Sequence, residues 1–267
     1  MTRTSPRYFS TLAAALALHL VPPAWAAQDS DWLYYGGDQG GRHYSEAARI
    51  NRANVGELEV AWVFRSGDSA SYGTEMAKTS TQSTPILLPA EAGESLVYCT
   101  PFNRVIALDP ATGEQRWSFD PDIDRRGDRP FRCRGVSYAE EPRVGAGQQC
   151  RHRLFMSTHD RRLWALDATS GKPCAGFGDG GKVLLLGEEG LVPGEVSNSS
   201  APVVADGVVV TGSTVIDFVR ATTPRGTVLA FDSFSGRPRW RFDPLLDLPN
   251  SGSANVWAPM SVDTEHR

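Results

Sequence analysis

The sequence of 267 residues predicts an all-β fold built from repeats, and three observations support that prediction. First, a run of alternating apolar residues, the pattern Asp-x-x-x-Gly and a second run occur together three times. Second, the aspartates of this pattern, Asp109, Asp167 and Asp232, recur about every 60 residues, which is typical of a repeat architecture. Third, no stretch shows a convincing helical periodicity of its apolar residues.

Each copy of the pattern, at residues 105–117, 163–174 and 228–240, is predicted to be a β-hairpin. Asp suits a tight reversal because its carboxylate can bond to its own backbone, and Gly suits it because Gly accepts a positive φ. Two apolar runs joined by such a turn form the outer half of a larger unit.

Two further predicted strands precede each hairpin, so each unit has the four strands of a β-propeller blade. The blades are predicted at residues 82–120, 133–186 and 198–243, and a fourth begins at residue 254. Propellers close with about four to eight blades, so we expect the chain to be an incomplete gene product or a fragment. Residues 58–64 are predicted to be an additional strand that precedes the first blade.

The N-terminus has the pattern of a secretory signal peptide. Arg3 and Arg7 precede an apolar run at residues 9–21, and Ala24 and Ala26 supply the small residues of a cleavage site. We expect cleavage after Ala26, which separates a signal peptide at 1–26 from a propeller domain at 27–267. A retained N-terminal anchor is the alternative, because the two kinds of segment overlap in length.

The four cysteines are compatible with disulfide bonds in an exported protein: Cys99, Cys133, Cys150 and Cys174. Three pairings are possible, and we favour Cys133–Cys150 because both residues lie in one repeat unit. The chain has no C-x-x-C-H attachment site for haem and no zinc-site spacing. Its net charge of −4 gives no indication of a nucleic-acid partner.

The first strand of each unit supplies residues that are expected to face a central channel. Three of these segments share a small residue before proline: Gln82-Ser-Thr-Pro85, Ser199-Ser-Ala-Pro202 and Val256-Trp-Ala-Pro259. Arg134-Gly-Val-Ser137 occupies the same place in the second unit. Because equivalent positions of inner strands face the channel, we expect four side chains to converge there: Gln82, Arg134, Ser199 and, one position offset, Trp257.

Each of these residues also has an ordinary structural explanation. An arginine commonly forms a surface ion pair, and a tryptophan commonly packs in a core. Gln82 and Ser199 are equally consistent with polar groups at strand ends. The pair His159 and Asp160 is predicted to be a solvated turn, because adjacent strand residues point to opposite faces.

Several motifs in this order resemble those of one enzyme family. They are Asp31-Trp-Leu-Tyr-Tyr-Gly-Gly-Asp38, Asn54-Val-Gly-Glu-Leu58 through Trp62, the hairpin ending at Trp117, Cys133-Arg-Gly-Val-Ser-Tyr138 and Asn255-Val-Trp-Ala-Pro259. The chain resembles the pyrroloquinoline quinone (PQQ) dehydrogenases, eight-bladed quinoprotein propellers that oxidise alcohols or sugars outside the cytoplasm. The similarity is strongest to the glucose dehydrogenase branch and covers roughly the first half of a full-length member.

This resemblance implies PQQ and calcium as cofactors. Arg134 would pair with a PQQ carboxylate, Trp257 would lie flat against the quinone ring, and Gln82 and Ser199 would bond to its rim. Asp217 stands where the family places an acidic ligand of the metal, and carboxylate oxygens suit calcium. The resemblance places the catalytic aspartate and the remaining metal ligands beyond Arg267.

The resemblance further implies a periplasmic location, an alcohol or sugar substrate, and a membrane quinone or cytochrome as electron acceptor, with peripheral membrane association as an option. Two positions depart from the glucose dehydrogenase branch. Phe218 replaces an asparagine, and Phe102 replaces a histidine near the sugar, so the substrate is left open. The alternative function is that of a cofactor-free periplasmic propeller scaffold that binds proteins. Arg134 and Trp257 distinguish the two, because such scaffolds lack a channel arginine and a stacking tryptophan in register.

Overall fold

The computed structural model describes residues 32–127, 129–185, 192–220, 222–248 and 250–266, so the predicted signal peptide lies outside the described residues. The strands, in chain order, are β1 (Thr79–Thr81), β2 (Ile86–Leu87), β3 (Leu96–Cys99), β4 (Val105–Leu108), β5 (Gln115–Phe119), β6 (Phe131–Cys133), β7 (Ser137–Glu140), β8 (His152–Ser157), β9 (Arg162–Asp167), β10 (Lys182–Leu184), β11 (Val196–Ser197), β12 (Val203–Ala205), β13 (Val208–Thr211), β14 (Thr214–Val215), β15 (Val228–Asp232) and β16 (Pro238–Phe242). The helical segments are α1 (Asp68–Tyr72) and the 3-10 turns Val55–Glu57, Gly73–Lys78 and Ala90–Ala92. No helix among the described residues is long and apolar enough to cross a membrane.

Three four-stranded antiparallel sheets confirm the three predicted blades. Blade one has the order β2-β3-β4-β5, blade two β7-β8-β9-β10, and blade three β12-β13-β15-β16. Two smaller pairings lie outside the blades: β1 runs parallel to β6, and β11 runs antiparallel to β14. The chain runs from the inner strand to the outer strand of each blade, as the repeat pattern predicts.

The Asp-x-x-x-Gly turns form for the reason that the sequence indicates. In the first hairpin, Oδ1 of Asp109 accepts the backbone N–H groups of Ala111 and Thr112, both at 2.9 Å. Gly113 follows with a φ of +74°, which is the left-handed region that favours glycine. Asp232 accepts the N–H of Ser235 in the same way at 2.8 Å, so the turn is encoded locally.

A tryptophan from the preceding unit covers the glycine of the next hairpin. A Cβ added to Gly113 would lie 2.5 Å from the ring of Trp62, and one added to Gly171 would overlap the ring of Trp117. The indole of Trp62 also donates to the carbonyl of Pro110 at 3.2 Å. The glycine is therefore required twice, once for its φ and once for the close approach of the indole.

The hydrophobic core lies between blades rather than inside one. Successive residues of β8 point to opposite faces, so Leu154 and Met156 pack against blade one, whereas Phe155 packs against blade three. Both clusters are almost fully buried. Blade two therefore has two apolar faces, as expected of a sheet that is covered on both sides.

A partly buried ion-pair network joins blades two and three. Glu141 is almost fully buried, and both its oxygens accept hydrogen bonds from the guanidinium of Arg143. Arg143 also donates to Asp232 of blade three at 2.9 Å, and Ser233 donates to Glu141 at 2.8 Å. These charge-assisted bonds fix the relative position of the two sheets.

The predicted strand at residues 58–64 is not formed. These residues run without a ladder partner among the described residues, and Val60 and Val63 are exposed. That prediction was wrong, because a strand requires a hydrogen-bonded neighbour as well as a suitable pattern. Residues 254–263 have no strand assignment, and the beginning of a fourth blade at residue 254 stays a prediction.

The favoured disulfide pairing was also wrong. Cys99 pairs with Cys133 and Cys150 pairs with Cys174, with Cα–Cα separations of 5.9 and 5.8 Å. The first bond links β3 of blade one to β6, which precedes the inner strand of blade two. Membership of one repeat unit did not predict the pairing, because Cys99–Cys133 joins adjacent units whereas Cys150–Cys174 lies within the second.

Candidate functional site

The inner segments of successive units lie side by side and are joined by backbone hydrogen bonds. The N–H of Thr84 donates to the carbonyl of Arg134 at 2.9 Å, and the N–H of Arg134 donates to the carbonyl of Ser199 at 2.7 Å. The hydroxyl of Ser200 then donates to the carbonyl of Trp257. These bonds bring the inner segments of all three blades and residues 250–266 together at one end of the sheets.

Arg134, Ser199 and Trp257 converge at this edge. The Nη1 atom of Arg134 donates to the Ser199 hydroxyl at 2.5 Å, and its guanidinium carbon lies 5.0 Å from the centre of the Trp257 ring. Arg134 is only 9% exposed, whereas Trp257 is 52% exposed. The three side chains form a partly buried cation beside an open aromatic face, as the equivalence of the inner strands predicts.

Burial lowers the pKa of Arg134 from its usual value, and the positive charge of Arg132 lowers it further. An arginine remains charged even so. No carboxylate among the described residues forms an ion pair with Arg134. The Arg134 side chain is therefore largely removed from water and has no ion-pair partner among the described carboxylates.

Gln82 lies at the level of Arg134 in the strand register, and its described side-chain hydrogen bond goes to Ser80 rather than to Arg134. Thr81 pairs with Cys133 in the parallel register of β1 and β6, which places the next residues, Gln82 and Arg134, at one level. The Gln82 side chain is exposed, and its Nε2 donates to the hydroxyl of Ser80 at 3.1 Å. Its predicted cofactor contact stays a prediction.

Asp217 forms no described hydrogen bond or ion pair with Arg134 or Trp257. It is exposed, and its charge raises the pKa of Arg129 against the larger effect of burial, which lowers it. The described ranges contain no group of three or more His, Cys, Asp or Glu residues able to hold a metal ion. Calcium takes about six to eight oxygen ligands, so Asp217 alone does not form a calcium site.

Phe102 and His159 both contact Phe131 and therefore belong to one buried aromatic cluster. Phe102 is fully buried, with its ring stacked 3.8 Å from that of Tyr72. His159 lies 4.8 Å from Phe131 and is only 5% exposed. Its backbone forms a turn as predicted, but the prediction that it is solvated was wrong, and burial lowers the pKa of its imidazole.

The glycine- and aromatic-rich N-terminal loop closes the space beside the inner strands. Gln39 donates to the carbonyl of Val204 at 3.0 Å and accepts the N–H of Val262 at 2.8 Å. A cavity of about 400 Å³ remains between this loop, residues 201–204 and residues 259–262. A Cβ built at Gly135 would lie 3.5 Å from the ring of Tyr35. The loop therefore packs closely against the residue that follows Arg134.

Sequence reasoning missed two further arginines at this site, Arg129 and Arg132. They precede Arg134 in the chain, and one nitrogen of each is buried without a hydrogen-bond partner among the described residues: Nη1 of Arg129 and Nε of Arg132. The comparison of repeats considered one position in each inner strand and therefore selected Arg134 alone. The strand alternation around the buried Phe131 and Cys133 is the signal that identifies Arg132.

The chain is a β-propeller whose inner edge brings together a nearly buried arginine and a half-exposed tryptophan face. The family described as "PQQ: Glucose/ethanol/alcohol dehydrogenase, beta-propeller domain" matches residues 32–267. The chain belongs to this family.

Among relatives, the chain is 33% identical to the quinate/shikimate dehydrogenase (quinone) of Acinetobacter baylyi, over 95% of this chain and 34% of that protein. It is also 33% identical to quinoprotein glucose dehydrogenase A of Acinetobacter calcoaceticus, over 89% of this chain and 32% of that one. The chain thus spans about a third of these relatives' length, less than the half that the resemblance implied.

The fold agrees with that of the quinohemoprotein alcohol dehydrogenase from Comamonas testosteroni. The two structures superpose with a TM-score of 0.59 at 26% sequence identity, over 82% of this chain and 28% of the other. The β-propeller predicted from the repeats is therefore confirmed.

The residues at the inner edge fit PQQ, the group that the family name specifies. Arg134 is a nearly buried cation without a described carboxylate partner, and it suits an anionic group of the ligand. The half-exposed ring of Trp257 offers a flat surface for stacking. The described residues do not fit calcium in the same way, because Asp217 is a single exposed carboxylate and no further ligands surround it.

Proposed function

We propose that the protein, at its natural length, is a PQQ-dependent dehydrogenase that oxidises the hydroxyl group of an alcohol or sugar. The convergence of Arg134, Ser199 and Trp257 within a propeller of this family carries the proposal. When bound, PQQ supplies the two-electron chemistry by accepting a hydride equivalent from the carbinol carbon. The residues of this chain bind and orient that cofactor.

Arg134 acts as the anchor for a cofactor carboxylate. Its Nη1 is directed by Ser199, and its backbone is held on both sides by Thr84 and Ser199. A guanidinium that is fixed in this way loses little conformational entropy when it pairs with a carboxylate. The remaining guanidinium nitrogens are the donors for a bidentate pair.

Trp257 provides the floor against which the quinone ring lies. The hydrogen bond from Ser200 to the carbonyl of Trp257 ties this residue to the inner segment of blade three. The Arg134 guanidinium carbon lies 5.0 Å from the centre of this indole, so the two side chains would hold a carboxylate and a ring of the same ligand. Gln82 would bond to the rim of the cofactor.

The location, the metal and the electron acceptor are inferred from the relatives and are part of the proposal. A periplasmic location, calcium with Asp217 as one ligand, and electron transfer to a membrane quinone or cytochrome suit a chain related to quinone-linked dehydrogenases. Peripheral contact with the membrane would suit a membrane quinone as acceptor.

The test measures PQQ binding and dye reduction by the protein at its natural length. Arg134→Ala should weaken PQQ binding by about tenfold to a hundredfold, because a charge-assisted hydrogen bond contributes about 1.5–3 kcal/mol. Arg42→Ala is the matched control, because Arg42 is an exposed arginine outside the site. PQQ should also quench the indole fluorescence, and Trp257→Phe should reduce that quenching.

Two results would overturn the proposal. One is the absence of PQQ binding and of dye reduction with every alcohol and sugar tested, which a cofactor-free scaffold predicts. The other is an equal loss of PQQ affinity in Arg134→Ala and Arg42→Ala, which would remove Arg134 from the site.

A further inference from the structure

Three arginines cluster within one short segment at the candidate site. The inner strand of blade two, β7, is preceded within eight residues by Arg129, Arg132 and Arg134. Their guanidinium groups lie within electrostatic range of one another, because the charge of Arg132 lowers the pKa of both neighbours, beyond the larger effect of burial. Such a cluster is unfavourable without a negative partner.

The strand geometry places two of the three on one face. Phe131 and Cys133 of β6 are almost fully buried in the core. Side chains alternate along a strand, so Arg132 and Arg134 project from the opposite face. Residues two apart on one face are about 7 Å apart, which is a suitable separation for two anionic groups of neighbouring ligands.

The cluster has unused donors. The Nη1 atom of Arg129 and the Nε atom of Arg132 are buried and lack a hydrogen-bond partner among the described residues. A buried donor without a partner is costly, and native proteins generally satisfy such groups with a ligand, an ion or water. Arg134 is already assigned to the cofactor, so two cationic groups remain.

Protein carboxylates do not balance these charges. No ion pair joins Arg129, Arg132 or Arg134 to a described carboxylate, whereas the nearby Arg125 and Arg126 pair with Glu75 and Asp124. Asp217 acts on Arg129 through its charge without forming an ion pair. One carboxylate beside three guanidiniums leaves a local excess of positive charge.

Arg129 is held at the inner edge by a partner of its own. Its Nη2 donates to the carbonyl of Val215 at 2.9 Å, two residues before Asp217. Thr214, the neighbour of Val215, has its hydroxyl 3.3 Å from that of Ser199, so this bond holds Arg129 at the inner edge. Arg129 is therefore held by a backbone carbonyl of β14, whereas Arg134 contacts Ser199 and Trp257.

We propose that Arg129 and Arg132 form a subsite for a substrate carboxylate, so that the preferred substrate is a hydroxy acid rather than a neutral alcohol or sugar. This inference rests on the proposed function, whose substrate class it specifies. Burial of Phe102 is consistent with it, because that position supplies no polar group for a neutral sugar. The charge of the substrate replaces those contacts with a guanidinium pair.

The experiment compares an acid with neutral substrates in variants of the natural-length protein. Quinate serves as the hydroxy-acid probe, and glycerol and glucose serve as neutral probes. The double variant Arg129→Gln/Arg132→Gln should raise KM for quinate at least tenfold and change KM for neutral substrates less than twofold. Arg126→Gln is the control, because Arg126 lies in the same segment but is exposed and paired with Asp124.

Three further measurements separate binding from catalysis and folding. Calorimetric titration of quinate into the protein without PQQ should show binding that the double variant loses. Arg129→Lys/Arg132→Lys should recover much of that binding, because the charge is kept. Thermal unfolding of each variant identifies any general loss of structure, and the single variants replace a double variant that does not fold.

Each outcome decides between sources of the anion. A tenfold loss of PQQ affinity in the double variant, with unchanged quinate binding, would assign the arginines to the cofactor and overturn the inference. Equal losses for quinate and glycerol would overturn it as well, as would a wild-type preference for neutral substrates. If PQQ does not bind at all, the proposed function fails, whereas quinate titration of the same sample still tests the carboxylate subsite.

Discussion

Removal of the Cys99–Cys133 disulfide should weaken both the fold and the binding of PQQ. The bond joins β3 of blade one to β6, and Cys133 directly precedes Arg134. Its two cysteines are almost fully buried in the cluster between blades one and two. The double substitution Cys99→Ala/Cys133→Ala therefore removes a link between blades and a restraint on the anchor residue.

The expected loss of stability follows from the loop that the bond closes. A sequence separation of 34 residues corresponds to about 4 kcal/mol of loop-closure entropy in the unfolded chain. The Cys150–Cys174 bond, with a separation of 24, corresponds to about 3.5 kcal/mol. The two bonds thus have similar effects on the fold but differ in their distance along the chain from Arg134.

This similarity makes Cys150→Ala/Cys174→Ala a matched control. Urea unfolding of the natural-length protein should show a comparable decrease in unfolding free energy for both double variants. PQQ affinity, measured under conditions in which all proteins are folded, should fall several-fold for the first pair and remain unchanged for the second. Peptide mapping without reductant should recover Cys99 with Cys133.

Two observations would refute the reasoning. A peptide that joins Cys133 to Cys150 would contradict the observed pairing. Equal PQQ affinities in the two double variants would show that the link to blade one does not restrain Arg134.

Two further predictions concern the blades and the buried histidine. Gly171→Ala should lower the unfolding free energy by roughly 2–4 kcal/mol, because its φ is +70° and an added Cβ would overlap Trp117. Gly176→Ala, which meets no atom within 4 Å, is the control in thermal unfolding, and equal effects would contradict the packing argument. Burial lowers the pKa of His159, so the unfolded chain takes up its proton first as the pH falls, and stability should decrease below about pH 6.5. His159→Gln should reduce this dependence between pH 7.5 and 5.5 in urea unfolding, and an unchanged slope would show that other groups cause it.

The hairpins were predictable because their determinants are local. Asp109 bonds the backbone two and three residues ahead, and Gly113 supplies the positive φ, so five consecutive residues define the turn. The third copy, at Asp232, repeats these bonds. Strand positions followed from the turns, and the blade order followed from the repeat.

The failures share a different origin, since each depended on a partner distant in the chain. Residues 58–64 have a strand pattern but no ladder neighbour among the described residues. The pairing of Cys99 depends on which inner segments meet, and the environment of His159 depends on Phe131 of β6. The local sequence pattern contains no information about these contacts.

The site was predicted in part. Equivalence between repeats identified Arg134 and Ser199, and the offset residue Trp257 completes their contact. Arg129 and Arg132 escaped this comparison because no other inner strand has arginines at the matching positions. Their importance became apparent only from unpaired buried nitrogens, which are a property of the folded molecule.

The direction of tryptophan packing has a consequence for the order of assembly. Trp62 covers Gly113, and Trp117 covers Gly171, so each indole is synthesised one repeat before the turn that it covers. In both cases a hairpin can pack only after the preceding part of the chain has supplied its indole. Gly236, the glycine of the third hairpin, instead faces Gly178 and Val183, so this dependence is not repeated there. The half-exposed Trp240 of β16 occupies in blade three the position that Trp117 has in blade one, and it leaves an indole surface open at that edge.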